Sequence, residues 1–212
     1  SANIPKIIAL EPDLVLTFSD LQAEIVAKLI TQGISVHCFN HRDINGIFAM
    51  IATLGALVGA TDKSKDLVFS LRKKIKKIKR QVQNRPRISV YFEEWDHPMI
   101  SGIGWVSELL EIAGGKDIFK NLSTEKLAKD RIVSSPDVIR GNPEVIIASW
   151  CGKKVQIEKI AHRKGWSKIN AIAEGQIYEI KSPLILQPGP AALTDGLDAI
   201  LEIFRAHPSW SD

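Results

Sequence analysis

Short apolar runs and one amphipathic stretch alternate along the first forty residues of the chain. Residues 13–17 and 34–39 are apolar runs of the length and composition typical of buried β-strands. Between them, residues 21–32 repeat apolar positions at helical spacing, with Asp20 as the expected N-cap and Gly33 as the C-cap. A strand, a helix and a strand within about 30 residues predict a βαβ unit with parallel strands.

Two helices are predicted next, over residues 43–57 and 62–84. The second helix has apolar side chains at spacings of three and four residues, which predicts that one face is buried. The apolar stripe consists of Leu67, Leu71, Ile75, Ile78 and Val82. Lysines and arginines fill the other faces. Because no aromatic residue is interleaved with this basic block, we interpret it as a solvated helix surface and not as a nucleic-acid site.

The rest of the chain predicts a second αβ region, with strands over 88–92, 144–149 and 176–180. Its predicted helices cover residues 101–113, 135–140, 156–163 and 190–205. The order of helix, proline-containing turn and strand occurs twice, over residues 7–16 and 138–147. We therefore predict an α/β protein of two αβ lobes with mainly parallel sheets joined by a long helix. The predicted parts are an N-terminal lobe (1–61), a connecting helix (62–84) and a C-terminal lobe (85–212).

Composition narrows the class of protein. The 212 residues are 45% hydrophobic and 25% charged, which is typical of globular domains. No apolar run approaches the roughly 18–20 residues that a membrane-spanning helix needs. The net charge is +4, and without the basic helix the chain is mildly acidic. Cys38 and Cys151 are too few for a disulfide framework, and we expect both to be small buried or half-buried residues.

Four segments, taken in order, resemble a known family. Segment 6–16 (KIIALEPDLVL) and segment 142–148 (NPEVIIA) resemble matching elements in the two lobes of periplasmic binding proteins that deliver cobalamin, haem and ferric siderophores. Segments 100–119 and 182–197 (SPLILQPGPAALTDGL) extend the resemblance over nearly the whole chain. The subgroup that binds cobalamin is the most similar.

The resemblance implies a non-enzymatic, solute-binding component of an ABC importer, located in the periplasm or elsewhere outside the cytoplasm. We expect a corrinoid ligand in a cleft between the lobes, with a ferric siderophore or haem as the alternative, and neither a cofactor nor a metal ion bound by the protein itself. Family members have a strand and a helix before the segment equivalent to Ile4. We therefore expect an incomplete first lobe, whose open sheet edge favours a homodimer.

Aromatic residues follow three of the predicted strands, at the ends where a two-lobed αβ protein has its cleft. They are Phe18, Trp95 and Trp150, and Trp95 lies in a segment expected to be a loop. A flat ring system needs aromatic contact area and a few polar groups to orient it. The candidate polar groups are Glu94, His97, Lys153 and Gln187. Each aromatic residue alone could instead pack at a lobe edge, and Trp105, on a predicted helix, is expected in the core.

Docking to a permease is the second implied function. In the family each lobe presents an acidic residue to arginines of the permease, and the positions here are Glu24 and Asp137.

Two alternatives come from other classes of protein. An enzyme would use Cys151 as a nucleophile with His97 or His162 as its base, and a chain that has lost transport would serve as an interaction module. Glu93 and Glu94 do not favour the enzyme, because adjacent residues of an extended segment point to opposite sides and cannot form an acid–base pair.

Overall fold

The computed structural model describes residues 2–210. Its contacts divide the chain into two compact units, one up to His41 and one from Arg42 onward, and each is described by itself. The smaller unit contains helix α1 (Ile4–Ile8), strand β1 (Val15–Phe18), helix α2 (Ala23–Thr31) and strand β2 (Val36–Phe39). Strands β1 and β2 are parallel, with Phe18 opposite Phe39. The predicted pair of parallel strands connected by a helix is confirmed.

The start of α2 differs from the sequence prediction. Ser19 leaves β1 in a left-handed conformation, with φ of 81°. Its hydroxyl accepts a hydrogen bond from the N–H of Leu21 (3.2 Å), and a 3-10 turn over Asp20–Gln22 precedes α2. The prediction that Asp20 is the N-cap is therefore wrong, because the backbone turns one residue earlier and places the Ser19 hydroxyl at the capping position.

Helices α3 (Ile44–Leu57) and α4 (Thr61–Val82) open the larger unit. Asp43 caps α3 by accepting a hydrogen bond from the N–H of Gly46 at 2.6 Å. The predicted apolar stripe of α4 is buried over its last three turns, whereas Leu67 remains 37% exposed. Gly55 permits close contact between the two helices, because a Cβ atom there would collide with the side chain of Ser64.

The contacts group two helices with the larger unit, and the lobe boundaries at 61 and 84 stay a prediction. Both α3 and α4 group with the larger unit, which begins at Arg42. The physical reason is the packing of α3 on α4 and of α4 on helix α5 (Gly104–Ile112).

A five-stranded sheet forms the centre of the larger unit. Its strands are β3 (Ile88–Asp96), β4 (Met99–Ser101), β5 (Gly115–Asp117), β6 (Val145–Ala148) and β7 (Ile177–Glu179). Strand β3 pairs in parallel with β6 on one side and with β5 on the other, and β6 pairs in parallel with β7. All four residues of β6 are buried, as expected for a central parallel strand. The predicted fold class, α/β with mainly parallel sheets, is confirmed.

The segment after residue 92 corrects the prediction that Trp95 lies in a loop. Strand β3 continues through Trp95 to Asp96, and the chain returns as β4, antiparallel to β3. The pairing register shifts between Glu93 and Trp95. Two acidic residues are compatible with this strand because two arginines, the buried Arg131 and the half-buried Arg163, neutralise the carboxylates.

Shorter helices connect the strands and complete the core. They are α6 (Ser135–Gly141), α7 (Ile157–Ala161), α8 (Asn170–Ala173), α9 (Ser182–Ile185) and α10 (Leu197–Ala206). Helix α10 begins later than predicted, because a π-helical turn occupies Ala192–Gly196. Trp105 is 2% exposed, so its predicted place in the core is confirmed. Within residues 2–210, no helix is long and apolar enough to span a membrane.

Candidate functional site

The carboxyl ends of β3, β6 and β7 lie at one edge of the larger unit's sheet, because the three strands are parallel neighbours. The residues at or just beyond these ends include Lys153 and three residues that contact its ammonium group, Trp95, Asp96 and Trp150. We call these four residues the strand-end ledge. The sequence predicted three of them, Trp95, Trp150 and Lys153, from their positions after strands.

Lys153 is the centre of the ledge. Its ammonium nitrogen is 5.1 Å from the ring centroid of Trp95 and 4.8 Å from that of Trp150. The same nitrogen is 2.9 and 2.7 Å from the two carboxylate oxygens of Asp96. Two indoles and one carboxylate therefore fix the position of a cation whose side chain is still 40% exposed.

Asp96 stays ionised beside Lys153. Burial by itself would raise the pKa of the Asp96 carboxyl, but the hydrogen bonds and the charge of Lys153 outweigh burial and hold the pKa below its ordinary value. Sequence reasoning missed Asp96, because the predicted loop gave no reason to single it out from the other acidic residues of the segment.

Trp150 is held from behind by a buried ion pair. Its indole N–H donates to one carboxylate oxygen of Glu93 at 3.1 Å, and Glu93 is fully buried. Arg163 donates to both carboxylate oxygens of Glu93, from Nη2 at 2.9 Å and also from Nη1. Trp150 itself is 2% exposed, so it supports the ledge from below.

Tyr91 belongs to the same buried network. Its hydroxyl donates to Glu93 at 3.1 Å. Burial, followed by the negative charge of Glu93, raises the pKa of Tyr91 well above its ordinary value. The phenol is therefore protonated and enclosed.

Glu94 points to the other face of β3. Arg131, which is 1% exposed, donates to it from Nη1 at 2.7 Å and from Nη2 at 3.1 Å. The N–H of Ile103 donates to it at 3.1 Å. The structure thus separates Glu93 and Glu94 as the sequence predicted, and each carboxylate has an arginine of its own.

The remaining candidates of this unit differ in exposure. Trp95 is half-buried and donates its indole N–H to the backbone oxygen of His97 at 3.0 Å. His97 is exposed at the turn between β3 and β4, in a cis peptide with Pro98. Gln187 is exposed two residues after α9. Only Trp95 of these three contacts Lys153.

Phe18 lies in the smaller unit, in an aromatic cluster at the ends of β1 and β2. Its ring centroid is 5.2 Å from that of His41, and the ring of Phe39 is 6.2 Å from the same histidine. Its backbone N–H donates to Gln22 at 2.9 Å. Sequence reasoning missed Phe39 and His41. Phe39 ends strand β2 and His41 follows it, so both lie at a strand end, which is the criterion that identified Phe18.

The two predicted docking residues have different surroundings. Glu24 is exposed in the first turn of α2. Asp137 forms a capping box with Ser134, the N-cap of α6, and accepts from the Ser134 hydroxyl at 2.5 Å and from Arg140 at 3.0 Å. The Ser134 hydroxyl is the main reason why the pKa of Asp137 lies below its ordinary value.

Both cysteines are free and exposed, so the expectation that they are buried or half-buried is wrong. Cys151 lies in the turn directly after Trp150, beyond the end of β6, where the chain leaves the core. Among residues 2–210 no hydrogen bond joins Cys151 to a histidine, and no group of three or more His, Cys, Asp or Glu could hold a metal ion.

Comparison with known proteins identifies the family. Residues 1–184 match the periplasmic binding protein family. The chain belongs to this family. Its members are solute-binding components of transport systems and not enzymes.

The chain is also similar to individual proteins. It is 26% identical over 212 residues to an uncharacterized ABC transporter substrate-binding lipoprotein of Bacillus subtilis, covering 95% of this chain and 65% of that protein. It is 23% identical over 204 residues to the vitamin B12-binding protein of Vibrio parahaemolyticus, covering 95% of this chain and 70% of that protein. The chain spans only about two thirds of these relatives.

A solved structure shares the fold. It is described as a possible iron-binding, periplasmic solute-binding protein from Staphylococcus epidermidis. Its TM-score is 0.78 at 23% identity, and the alignment covers 96% of this chain and 80% of the other.

Proposed function

We propose that this chain is the substrate-binding component of an ABC importer, that it works outside the cytoplasm, and that its ligand is a metal chelate of the corrinoid type. Family membership and the similar vitamin B12-binding protein support the class of ligand. The observation that carries the choice of site is Lys153, held between two indoles and Asp96 at the ends of parallel strands.

The ledge has the chemistry that a large, flat chelate requires. The half-buried Trp95 offers a ring face, and Lys153 offers a positioned cation to an anionic group such as the phosphodiester of a cobalamin. Phe18 of the smaller unit is a further aromatic contact in this proposal. Glu94, His97 and Gln187 are proposed as polar contacts that orient the ligand, and the exposed imidazole of His97 is a candidate ligand for its metal.

Absorbance titration with cyanocobalamin tests this proposal. Trp95→Ala removes the half-buried indole and is expected to weaken binding by about 1–3 kcal/mol. Lys153→Met keeps the length of the side chain and removes its charge, so it is expected to weaken cyanocobalamin more than cobinamide, which lacks the nucleotide phosphate. Phe69→Ala is the matched control, because Phe69 is an aromatic residue on α4 that is 69% exposed and outside the ledge. Unchanged affinity in both ledge variants would remove the ledge from the site.

An iron chelate is the second candidate ligand. The similar Staphylococcus epidermidis protein favours it, as does the exposed Lys154 next to Lys153, since ferric siderophores of the catecholate class are strongly anionic. Haemin and a ferric catecholate, each titrated against the same variants, distinguish the candidates. Tighter binding of either one than of both corrinoids would replace the corrinoid proposal.

Docking on a permease is proposed to use Glu24 and Asp137. Their neutral isosteres, Glu24→Gln and Asp137→Asn, keep the side-chain shape and one acceptor oxygen, and are expected to slow association with the permease and to reduce its dependence on salt. Glu158→Gln is the control, because Glu158 is an exposed carboxylate on α7 with an 86% exposed side chain. Equal effects of all three changes would indicate general electrostatic attraction, without specific docking residues.

A further inference from the structure

A cavity of about 890 Å³ lies within the larger unit between α3, α4 and α5, and it contains none of the ledge residues. Five cations line it: Arg72, Lys76, Lys79, Arg80 and Arg87. Two carboxylates line it as well, those of Glu108 and Glu111. The cavity therefore has an excess of positive charge, and nothing in the proposed solute-binding function uses it.

The sequence concentrates positive charge on this part of the molecule. Residues 61–87 contain eleven lysines and arginines and two aspartates, a net charge of +9, whereas the whole chain carries +4. The remainder of the chain is therefore net −5. A solvated helix surface accounts for exposed lysines in general, but the five exposed cations of the cavity also converge on one concave site.

Two of the arginines are held in place before any ligand binds. The guanidinium carbon of Arg72 lies 4.2 Å from the ring centroid of Phe48. Arg87 donates from Nη1 to the backbone oxygen of Glu111 at 2.7 Å. A guanidinium whose orientation is fixed loses little entropy when it binds an anion, and its planar set of donors matches a phosphate.

The other cations of the cavity are less constrained. Within the described residues, the side chains of Lys76, Lys79 and Arg80 form no hydrogen bond and no ion pair, although the charge of Lys79 acts on Glu108. Glu111 does not compensate them, because Lys120 binds its carboxylate at 2.5 Å. Glu108 accepts from the N–H of Ile44 at 2.9 Å, and its partial burial raises the pKa of its carboxyl. These cations repel one another, and a bound anion would offset that repulsion.

The floor of the cavity restricts the class of ligand. Ile75, Val82 and Ile112 line it, yet each is at most 9% exposed. The cavity therefore offers charge and hydrogen-bond donors, and these three side chains offer little area to an acyl chain or a flat ring.

We infer that this cavity is a binding site for a phosphate group. The group belongs either to a small soluble phosphate compound or to the headgroup of an anionic phospholipid. Both kinds of ligand present negatively charged phosphate oxygens to the arginines, and the probes below distinguish them.

Paired charge reversals on α4 test the inference. Lys76→Glu with Arg80→Glu changes two cavity cations spaced one helical turn apart. Lys73→Glu with Lys77→Glu makes the same change of charge at the same spacing. These two positions are also exposed but do not line the cavity. The probes are pyrophosphate, by calorimetry, and vesicles of phosphatidylglycerol compared with phosphatidylcholine, by co-sedimentation.

We expect the full chain to bind at least one anionic probe, and the cavity variant to bind it about tenfold more weakly or worse, since two charge-assisted contacts are lost. The control variant is expected to lose less than about threefold, through reduced long-range attraction alone. Binding of pyrophosphate identifies a soluble ligand, and binding of phosphatidylglycerol vesicles alone identifies a headgroup.

Four outcomes would overturn the inference. Three of them are the absence of binding to both anionic probes, equal losses of probe affinity in the two variants, and binding of duplex DNA that is tighter than that of either probe and is lost equally in both variants. Thermal unfolding of each variant is measured alongside, and cyanocobalamin titration of the cavity variant shows that the ledge is intact. A cavity variant that folds, keeps its corrinoid affinity and still binds pyrophosphate and phosphatidylglycerol normally also overturns it.

Discussion

Arg163 neutralises a carboxylate that has no access to water. Glu93 is fully buried, and its oxygens accept from Arg163, Tyr91 and Trp150. A buried ion pair of this kind contributes little net stability when it is intact, because both charges lose their hydration. Loss of Arg163 is costly, because the Glu93 carboxylate then stays buried without a cationic partner.

Arg163→Met is therefore expected to lower the free energy of unfolding by about 3–5 kcal/mol. Arg140→Met is the control, because Arg140 forms an ion pair with Asp137 but its side chain is 76% exposed. That change is expected to cost less than about 1 kcal/mol. Urea denaturation of the two variants and the unchanged chain measures the difference, and equal small losses would contradict the structural role given to Arg163.

Asp117, at the end of β5, makes stability depend on pH. Its carboxyl is buried, which raises its pKa, while the N–H of Phe119 donates to it at 2.9 Å. Because the folded-state pKa is above the unfolded one, the folded chain binds the proton more tightly. The stability from this group is present below the ordinary aspartate pKa of about 3.9 and is lost as pH rises through the raised pKa.

Asp117→Asn is expected to remove this loss, because the amide oxygen can still accept from Phe119 and never ionises. Urea midpoints measured at intervals from about pH 4 to pH 7 should fall more steeply for the unchanged chain than for the variant. Asp66→Asn, at an exposed position on α4, serves as the control and should keep the steep profile. Parallel profiles for the unchanged chain and Asp117→Asn would show that Asp117 is not the group responsible.

Within helix α4, packing determines which side chains are buried. Ile78 and Lys77 are adjacent, yet Ile78 is 4% exposed and Lys77 is exposed. The difference follows from the helical period of 3.6 residues, which places neighbouring residues on different faces. Burial of the apolar face stabilises this helix, since 15 of its 22 side chains are polar and most of these are exposed.

Ile78→Ala is expected to cost about 2–4 kcal/mol of stability, because it deletes buried methyl and methylene groups. Lys77→Ala, on the same turn, is expected to change stability by less than about 0.5 kcal/mol. Ile78 does not line the cationic cavity, so its effect reports packing alone. Chemical denaturation measures both, and a larger loss for the lysine would contradict the predicted burial of this helix.

The two units differ greatly in how much of a core they have. Within residues 2–41, Leu29 is the one apolar side chain that is fully enclosed, and the sheet has two strands. The described part of the larger unit contains a five-stranded sheet and most of the buried residues. An isolated two-stranded sheet is at best marginally stable in water, whereas a unit of the larger size supports its own core.

We therefore expect residues 42–212, expressed without the smaller unit, to keep a cooperative thermal unfolding transition, and residues 1–41 alone to be unfolded. Circular dichroism during heating measures both fragments. A non-cooperative larger fragment would show that its core depends on the first 41 residues. The homodimer expected from the sequence stays a prediction, which sedimentation of the full chain over a range of concentrations tests.

The sequence by itself determined the features that depend on local periodicity. Spacings of three and four predicted the buried face of α4, and the apolar runs predicted the parallel strands β1, β2, β3, β6 and β7. Alternation along an extended segment predicted that Glu93 and Glu94 face opposite ways. Position after a strand also identified Trp95, Trp150 and Lys153, because parallel strands bring their ends to one edge. These inferences need only a few neighbouring residues.

The tertiary structure alone decided which distant side chains meet. Arg163 reaches Glu93 across 70 positions of sequence, and Arg131 reaches Glu94 across 37. These ion pairs allowed an acidic segment to continue as strand β3, where local polarity predicted a loop. The cationic cavity likewise depends on the packing of α3, α4 and α5. Local patterns specify the direction in which a side chain points, but its partner is set by strand order and helix packing, which a single sequence does not contain.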